Sequence, residues 1–225
     1  KGEMENTTSD FDREKLQVLL DHGTNRISVN PQSLEPRVLE AIGRKHSPGD
    51  IVRAMELATS MNFPHVNMDL IAGLPFEDLE TFCHSFDDVY ALHPEQLQLG
   101  FLKVLKGSVM YENRQSYGLR YRNQPPYEVL STNWLSFSEI CGLKQVEEMV
   151  EIYYNSGQFS HTLTLLEQQY ASSYELYRQL ADFYNSRGYF DVPASRLKKY
   201  ELLLDFALSV DPARENRYRE SLIYD

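Results

Sequence analysis

His65-Val-Asn-Met-Asp-Leu-Ile-Ala-Gly-Leu-Pro75 decides the fold. Val66, Met68 and Leu70 alternate with Asn67, Asp69 and Ile71, which is the two-residue period of a strand. Gly73 and Pro75 stop it, and Glu77, Asp78 and Glu80 place acidic charge in the first turn of a helix expected over Glu77–Leu92. Asp69 is the odd residue. A carboxylate inside an apolar run is costly unless something pairs with it. It is either a hydrogen-bonded structural residue or a ligand-contacting acid at the carboxyl end of a strand, where α/β folds put their sites.

Outward from this strand the pattern repeats. Phe11–His22 reads as a helix capped by Asp10 or Asp12 and ended by Gly23, and Arg26–Gln32 as a strand. Pro36–Gly43 reads as a helix, as does the stretch from Pro48 through Met61 with Ser47 as its cap, and Gln96–Leu102 as a third strand after the His93-Pro94 break. Helix and strand alternating in this way imply βα units on a parallel sheet. Each strand has one apolar face (Ile27/Val29, Val66/Met68/Leu70, Leu97/Leu99/Phe101). The opposite face is polar (Arg26/Ser28/Asn30/Gln32, Asn67/Asp69, Gln96/Gln98/Gly100). A parallel sheet covered by helices on both sides would be apolar on both. The polar face therefore predicts a barrel, or part of one, around a polar ligand. A fourth strand at Gly2–Asn6 is expected if that segment pairs.

After Gly107 the character changes. Val109–Tyr117 is expected to be helical and Leu119–Pro126 an irregular connector. From Ser136 the chain is helical almost throughout, with the stripe Ile140, Leu143, Val146, Val150 and Tyr153/Tyr154 closed by Gly157. The expected division is 1–107, half of a barrel; 108–135, a connector; and 136–225, an all-helical domain. The fold class is α/β, a partial TIM-type barrel followed by helices.

The net charge is −11 with no basic stripe, so nucleic acid is not an expected partner. No apolar run is long enough to cross a bilayer, and no membrane partner is expected. Cys83 and Cys141 form no disulfide or metal spacing, which suits a cytoplasmic protein. His22, His65, His84, His93 and His161 share no metal spacing either.

Three segments in register carry a resemblance. They are Arg26-Ile-Ser-Val-Asn-Pro-Gln-Ser33, Val38-Leu-Glu-Ala-Ile-Gly-Arg-Lys-His46 and Asp69-Leu-Ile-Ala-Gly-Leu-Pro75. Over about Glu3–Gly107 the chain resembles the second half of a radical S-adenosylmethionine (SAM) barrel, nearest the oxygen-independent coproporphyrinogen III oxidase and coproporphyrinogen dehydrogenase type. The later segments Leu97–Gly107, Pro125–Leu130 and Val150–Gly157 resemble the helical domain of cobalamin-binding radical SAM proteins labelled magnesium-protoporphyrin monomethyl ester oxidative cyclase. The resemblance implies an oxidoreductase using SAM and a [4Fe–4S] cluster on a small organic substrate such as a tetrapyrrole, with cobalamin in the parent protein.

By position it makes Gln32, Arg44 and Asp69 SAM-side residues, adds Glu5 (or Glu3) as the acid two strands earlier, and places Gly73 in the Gly-x-Ile-x-Gly segment that backs the adenine. SAM offers an ammonium, a carboxylate and a ribose, which carboxylates, amides and an arginine fork can answer. The plainer readings are a helix-end cation for Arg44 and a turn-stabilising amide for Gln32. His46 would orient Arg44. Two departures stand out. Asn30-Pro31 replaces the usual Gly-Val, and the cluster motif Cys-x-x-x-Cys-x-x-Cys is missing. The motif's usual place lies upstream of Lys1, so the chain is expected to be a piece of a longer enzyme, inactive by itself. The alternatives are a non-catalytic binding or scaffold module on the same barrel, and a metal-independent barrel enzyme with Asp69 as base. An open sheet edge also predicts self-association.

Overall fold

The structure is a computed structural model and describes residues 2–6, 12–190 and 192–225; for Gly2–Asn6 it describes the backbone alone. The chain divides into two compact units, Lys1–Cys141 and Gly142–Asp225.

The first unit is a parallel βα array. Four strands, β1 (Gly2–Asn6), β2 (Thr24–Gln32), β3 (His65–Ala72) and β4 (Gln96–Phe101), lie in the order β1-β2-β3-β4, all neighbours parallel. The fourth strand thus pairs as the sequence suggested. Helices α1 (Arg13–Asp21), α2 (Pro36–Ala41), α3 (Pro48–Ser60) and α4 (Leu79–Tyr90) fill the crossovers. α1 and α3 pack on β2, and α3 and α4 on β3. Ile27, Val29, Val66, Met68, Leu70 and Leu97 are buried with Leu16, Ile51, Ala58, Phe82, Phe86 and Val89 from the helices. This is the apolar face of the alternation.

Helix starts follow local chemistry. Asp12 accepts from the Glu14 amide, Ser47 and Asp50 form a reciprocal capping box, and Asp78 accepts from the Thr81 amide. α4 therefore begins after Asp78, not at Glu77.

Beyond β4 the structure departs from expectation. The helix expected over Val109–Tyr117 is a single turn, α5 (Val109–Glu112), followed by turns. The expected irregular connector contains an antiparallel pair, β5 (Arg120–Tyr121) and β6 (Val129–Ser131). This hairpin returns to the sheet extension. The Val104 amide donates to the Tyr127 carbonyl at 2.9 Å, and the Val129 amide to the Leu102 carbonyl at 2.8 Å.

Helix α6 (Phe137–Met149) runs across the division between the units, and a π-helical turn (Val150–Asn155) continues it. In the second unit α7 (Ser160–Glu167), α8 (Ser173–Ser186), α9 (Arg196–Val210) and α10 (Glu215–Tyr224) follow. Leu163, Leu166, Leu176, Tyr177, Leu180, Leu203, Phe206 and Tyr218 form its core. Asp225 reaches from the end of α10 to α7, accepting from the amides of His161 and Thr162 at 2.8 and 3.0 Å and from the His161 ring at 2.9 Å. Among the described residues no helix is long and apolar enough to cross a membrane.

Candidate functional site

The polar face of the sheet is built by register. Residues directly opposite in parallel strands share a face, so Glu5, Ser28, Asn67 and Gln96 form one row, and Asp69 with Gln98 the next. Ser28, Asp69 and Gln96 are half-buried and Gln98 is exposed, while Ile27, Val29, Met68, Leu70 and Leu97 beside them are buried and Leu99 is half-buried. Glu5 is fixed here by its backbone position opposite Ser28. Asn67 is 2% exposed, and its Oδ1 accepts no hydrogen bond from a described residue. A buried acceptor without a donor costs free energy comparable to a lost hydrogen bond, so this face suits a ligand that brings donors.

The carboxyl ends of the strands carry the rest. Val29 lies opposite Met68, but the next partner of Leu70 is Gln32, so β2 has one extra residue at Asn30-Pro31. Proline cannot donate to the ladder, which suits Pro31 to this bulge. Gln32 is half-buried with φ 62, a left-handed backbone rare for a residue with a side chain. His46 donates from Nε2 to the Pro31 carbonyl at 3.2 Å. Burial first, and then the nearby Arg44 charge, depress the His46 pKa, against the Pro31 bond and Asp50, which raise it. The ring therefore fastens the bulge as a neutral donor. Arg44 is half-buried in the loop after α2, where its amide closes the turn on the Leu39 carbonyl at 2.8 Å. Gln32 and Asp69 sit at or near the strand ends, and the loop carrying Arg44 is tied to the same end through His46.

Gly73 is buried, with φ 89, and a Cβ there would come within 2.7 Å of Val129 Cγ1. Glycine is thus required both by its backbone and by the β5–β6 hairpin that covers it. Phe76, also left-handed at φ 68, packs at a tilt against Trp134 (centroids 4.7 Å) and edge-on against Tyr117 (5.9 Å), and the Arg37 guanidinium lies 4.2 Å over its ring.

Glu77 escaped the sequence reading. It is not a first-turn helix charge. Its carboxyl is fully buried and accepts from Ser33 Oγ at 2.6 Å, while its second oxygen has no partner among the described residues. Burial, opposed by the Ser33 bond and assisted by Asp78 and Glu35, pushes its pKa up to about 8. Three acids in four residues look alike in sequence. The signal was the Gly-Leu-Pro turn before them, which makes Asp78 the cap and turns Glu77 inward.

Among the described residues no group of three or more His, Cys, Asp and Glu is placed to hold a metal, and Cys83 and Cys141 are each half-buried and unpaired by disulfide.

Residues 3–89 match the radical SAM superfamily, and residues 115–225 match a family described as a protein of unknown function (DUF4080). The chain is 38% identical over 111 residues to the oxygen-independent coproporphyrinogen-III oxidase-like protein HemZ of Bacillus subtilis, covering 49% of this chain and 22% of that protein. It is 31% identical over 144 residues to the heme chaperone HemW of the same organism, covering 64% and 38%. Among solved structures, the coproporphyrinogen III oxidase HemN of Escherichia coli aligns at 26% identity with a TM-score of 0.41, over 44% of this chain and 23% of that one. The aligned stretches thus span 22% and 38% of the two curated relatives named. Over residues 3–89 the chain thus matches the radical SAM superfamily.

Proposed function

We propose that this chain is the C-terminal part of a radical SAM oxidoreductase whose polar sheet face holds SAM while an organic substrate, such as a tetrapyrrole, is modified. The observation that carries the reading is the buried, donor-seeking Asn67 Oδ1 in a row of polar residues on a domain matching the radical SAM superfamily. Asp69 and Glu5 suit the ammonium and ribose, Arg44 the carboxylate, Gln32 either end, and the Gly73 backbone the adenine side. The residues present do not fit a [4Fe–4S] cluster, because two separated cysteines cannot replace a cysteine triplet. The cluster would be held by residues outside this chain. Cobalamin belongs to the same proposal for the parent protein, with no residue of this chain assigned to it.

The test uses the full-length gene product, reconstituted anaerobically with iron and sulfide and supplied with reductant. Formation of deoxyadenosine from SAM supports the reading, and SAM left intact by a loaded protein contradicts it. A second reading, a non-catalytic tetrapyrrole-binding module, is favoured by the match to proteins named heme chaperone. Heme binding without SAM turnover would establish it.

A cytoplasmic small-molecule enzyme without nucleic-acid or membrane partners completes the proposal. β1 and β4 end the sheet, and β4 is extended by the pairing of residues 102–104 with the hairpin. The outer edge of β1 is the place where another strand would add, so the isolated chain should dimerise there. Light scattering at micromolar concentration would show a dimer; a monomer would refute it.

A further inference from the structure

We propose that Glu77 and His46 are positioning residues that grip the chain on either side of Gln32 and so hold its amide against the cosubstrate, an inference that rests on the SAM reading above.

The grip is visible in four hydrogen bonds. Before Gln32, the Pro31 carbonyl accepts from the His46 ring at 3.2 Å. After it, Ser33 Oγ donates to Glu77 Oε1 at 2.6 Å and accepts from the Glu35 amide at 3.2 Å. The Leu34 amide donates to Ser85 Oγ on α4 at 3.1 Å. Gln32 itself has a left-handed φ of 62. Such a backbone costs roughly 1–2 kcal/mol for a residue with a Cβ and persists only where its surroundings over-determine it.

Loop fastening alone does not require this arrangement. A carboxyl that is 0% exposed and leaves one oxygen without a partner among the described residues is an expensive fastener. An apolar side chain would fill the space, and a shorter loop would spare the strain. The groups that act on Glu77 are Ser33 and Glu35 in the loop after β2 and Asp78 at the cap of α4, and none of them is a cation. The carboxyl is therefore mainly neutral near pH 7, and His46 is a neutral donor because burial opposes its charge. What the four bonds specify is the orientation of one strained residue, between a bulge and a helix cap, at the strand end where the site lies.

The test is SAM affinity of the full-length gene product by equilibrium dialysis. Gln32→Ala and Glu77→Ala should each weaken binding about tenfold, the size of one lost hydrogen bond to a charged group. The double variant should be no weaker than Gln32→Ala alone, because Glu77 acts through Gln32. Glu77→Gln should stay within about twofold of wild type, since its amide oxygen still accepts from Ser33. If Glu77→Ala fails to fold, Ser33→Ala takes its place in the same cycle. Losses that multiply in the double variant, or a Glu77→Gln variant as weak as Glu77→Ala, would overturn the positioning role while leaving SAM binding intact. A wild-type protein that does not bind SAM would instead overturn the cosubstrate reading. In the proposed case, exchange of the Glu35 amide quickens in Glu77→Ala and is unchanged in Gln32→Ala.

Discussion

The two units bury polar groups in opposite ways. In the helical unit Tyr153 and Tyr184 meet hydroxyl to hydroxyl, and Tyr153 also donates to the Lys199 carbonyl at 3.0 Å. Phe159 and Phe190 pack against the two rings. Every member is neutral and partnered, and burial raises both phenolic pKa values further from neutrality. In the strand unit, Glu77 and Asn67 are as deeply buried, yet each leaves an oxygen unpartnered among the described residues. A satisfied network serves packing, whereas orphaned acceptors, one on β3 and one in the turn that follows it, mark a place kept for something else. The difference separates scaffold from site without reference to any relative.

Removing the scaffold network should have the largest effect. Tyr153→Ala should destabilise the helical unit by about 4 kcal/mol through the cavity it leaves, whereas Tyr153→Phe should cost about 1 kcal/mol for the lost hydroxyl. Chemical denaturation with a probe in that unit measures both. Equal losses would mean that the hydroxyl, not the ring, holds the unit, and the contrast with Glu77 would weaken.

The next effect is pH-dependent and belongs to the strand unit. Glu77 titrates near 4.5 in an unfolded chain and near 8 when buried, so the folded state holds the extra proton between these values. Its contribution to stability is therefore greatest below pH 4.5 and is lost as pH rises through the window to 8, with a slope approaching about 1.4 kcal/mol per pH unit. Glu77→Gln should remove that slope and be more stable than wild type at pH 8. A wild-type slope that survives in Glu77→Gln would assign it to other groups.

Gly73→Ala should cost about 2 kcal/mol or more, because a left-handed backbone and Val129 both oppose a methyl group. Gly23→Ala, with φ 81 and nothing within 4 Å, should cost about 1 kcal/mol. Equal costs would show that the hairpin does not press on the site-side turn.

The alternation of Val66, Met68 and Leu70 with Asn67 and Asp69 was enough to place the strand, its faces and the parallel array, because side-chain period and burial report the same physics. The caps at Asp12 and Ser47 were legible from the polar residue that precedes each apolar helical pattern, whereas Asp78 read as a first-turn charge and is the cap. The β5–β6 hairpin was not. Strands of two and three residues carry no measurable period, and their identity comes from long-range pairing with residues 102–104. The site was legible as a polar face and a short set of positions. The fastening of Gln32 by His46 and Glu77 was hidden, since Pro31 and Ser33 meet partners 15 and 44 residues away. His46 in particular was expected to serve Arg44, whereas the bond it makes is to the Pro31 carbonyl.

The central claim is that the polar sheet face of the strand unit receives SAM. Equilibrium binding of SAM to the full-length gene product, wild type against Asp69→Asn with Asp78→Asn as the exposed helix-cap control, tests it most directly. The claim predicts that Asp69→Asn weakens binding about tenfold while Asp78→Asn leaves it unchanged. Undiminished binding by Asp69→Asn, or none by wild type, would contradict it.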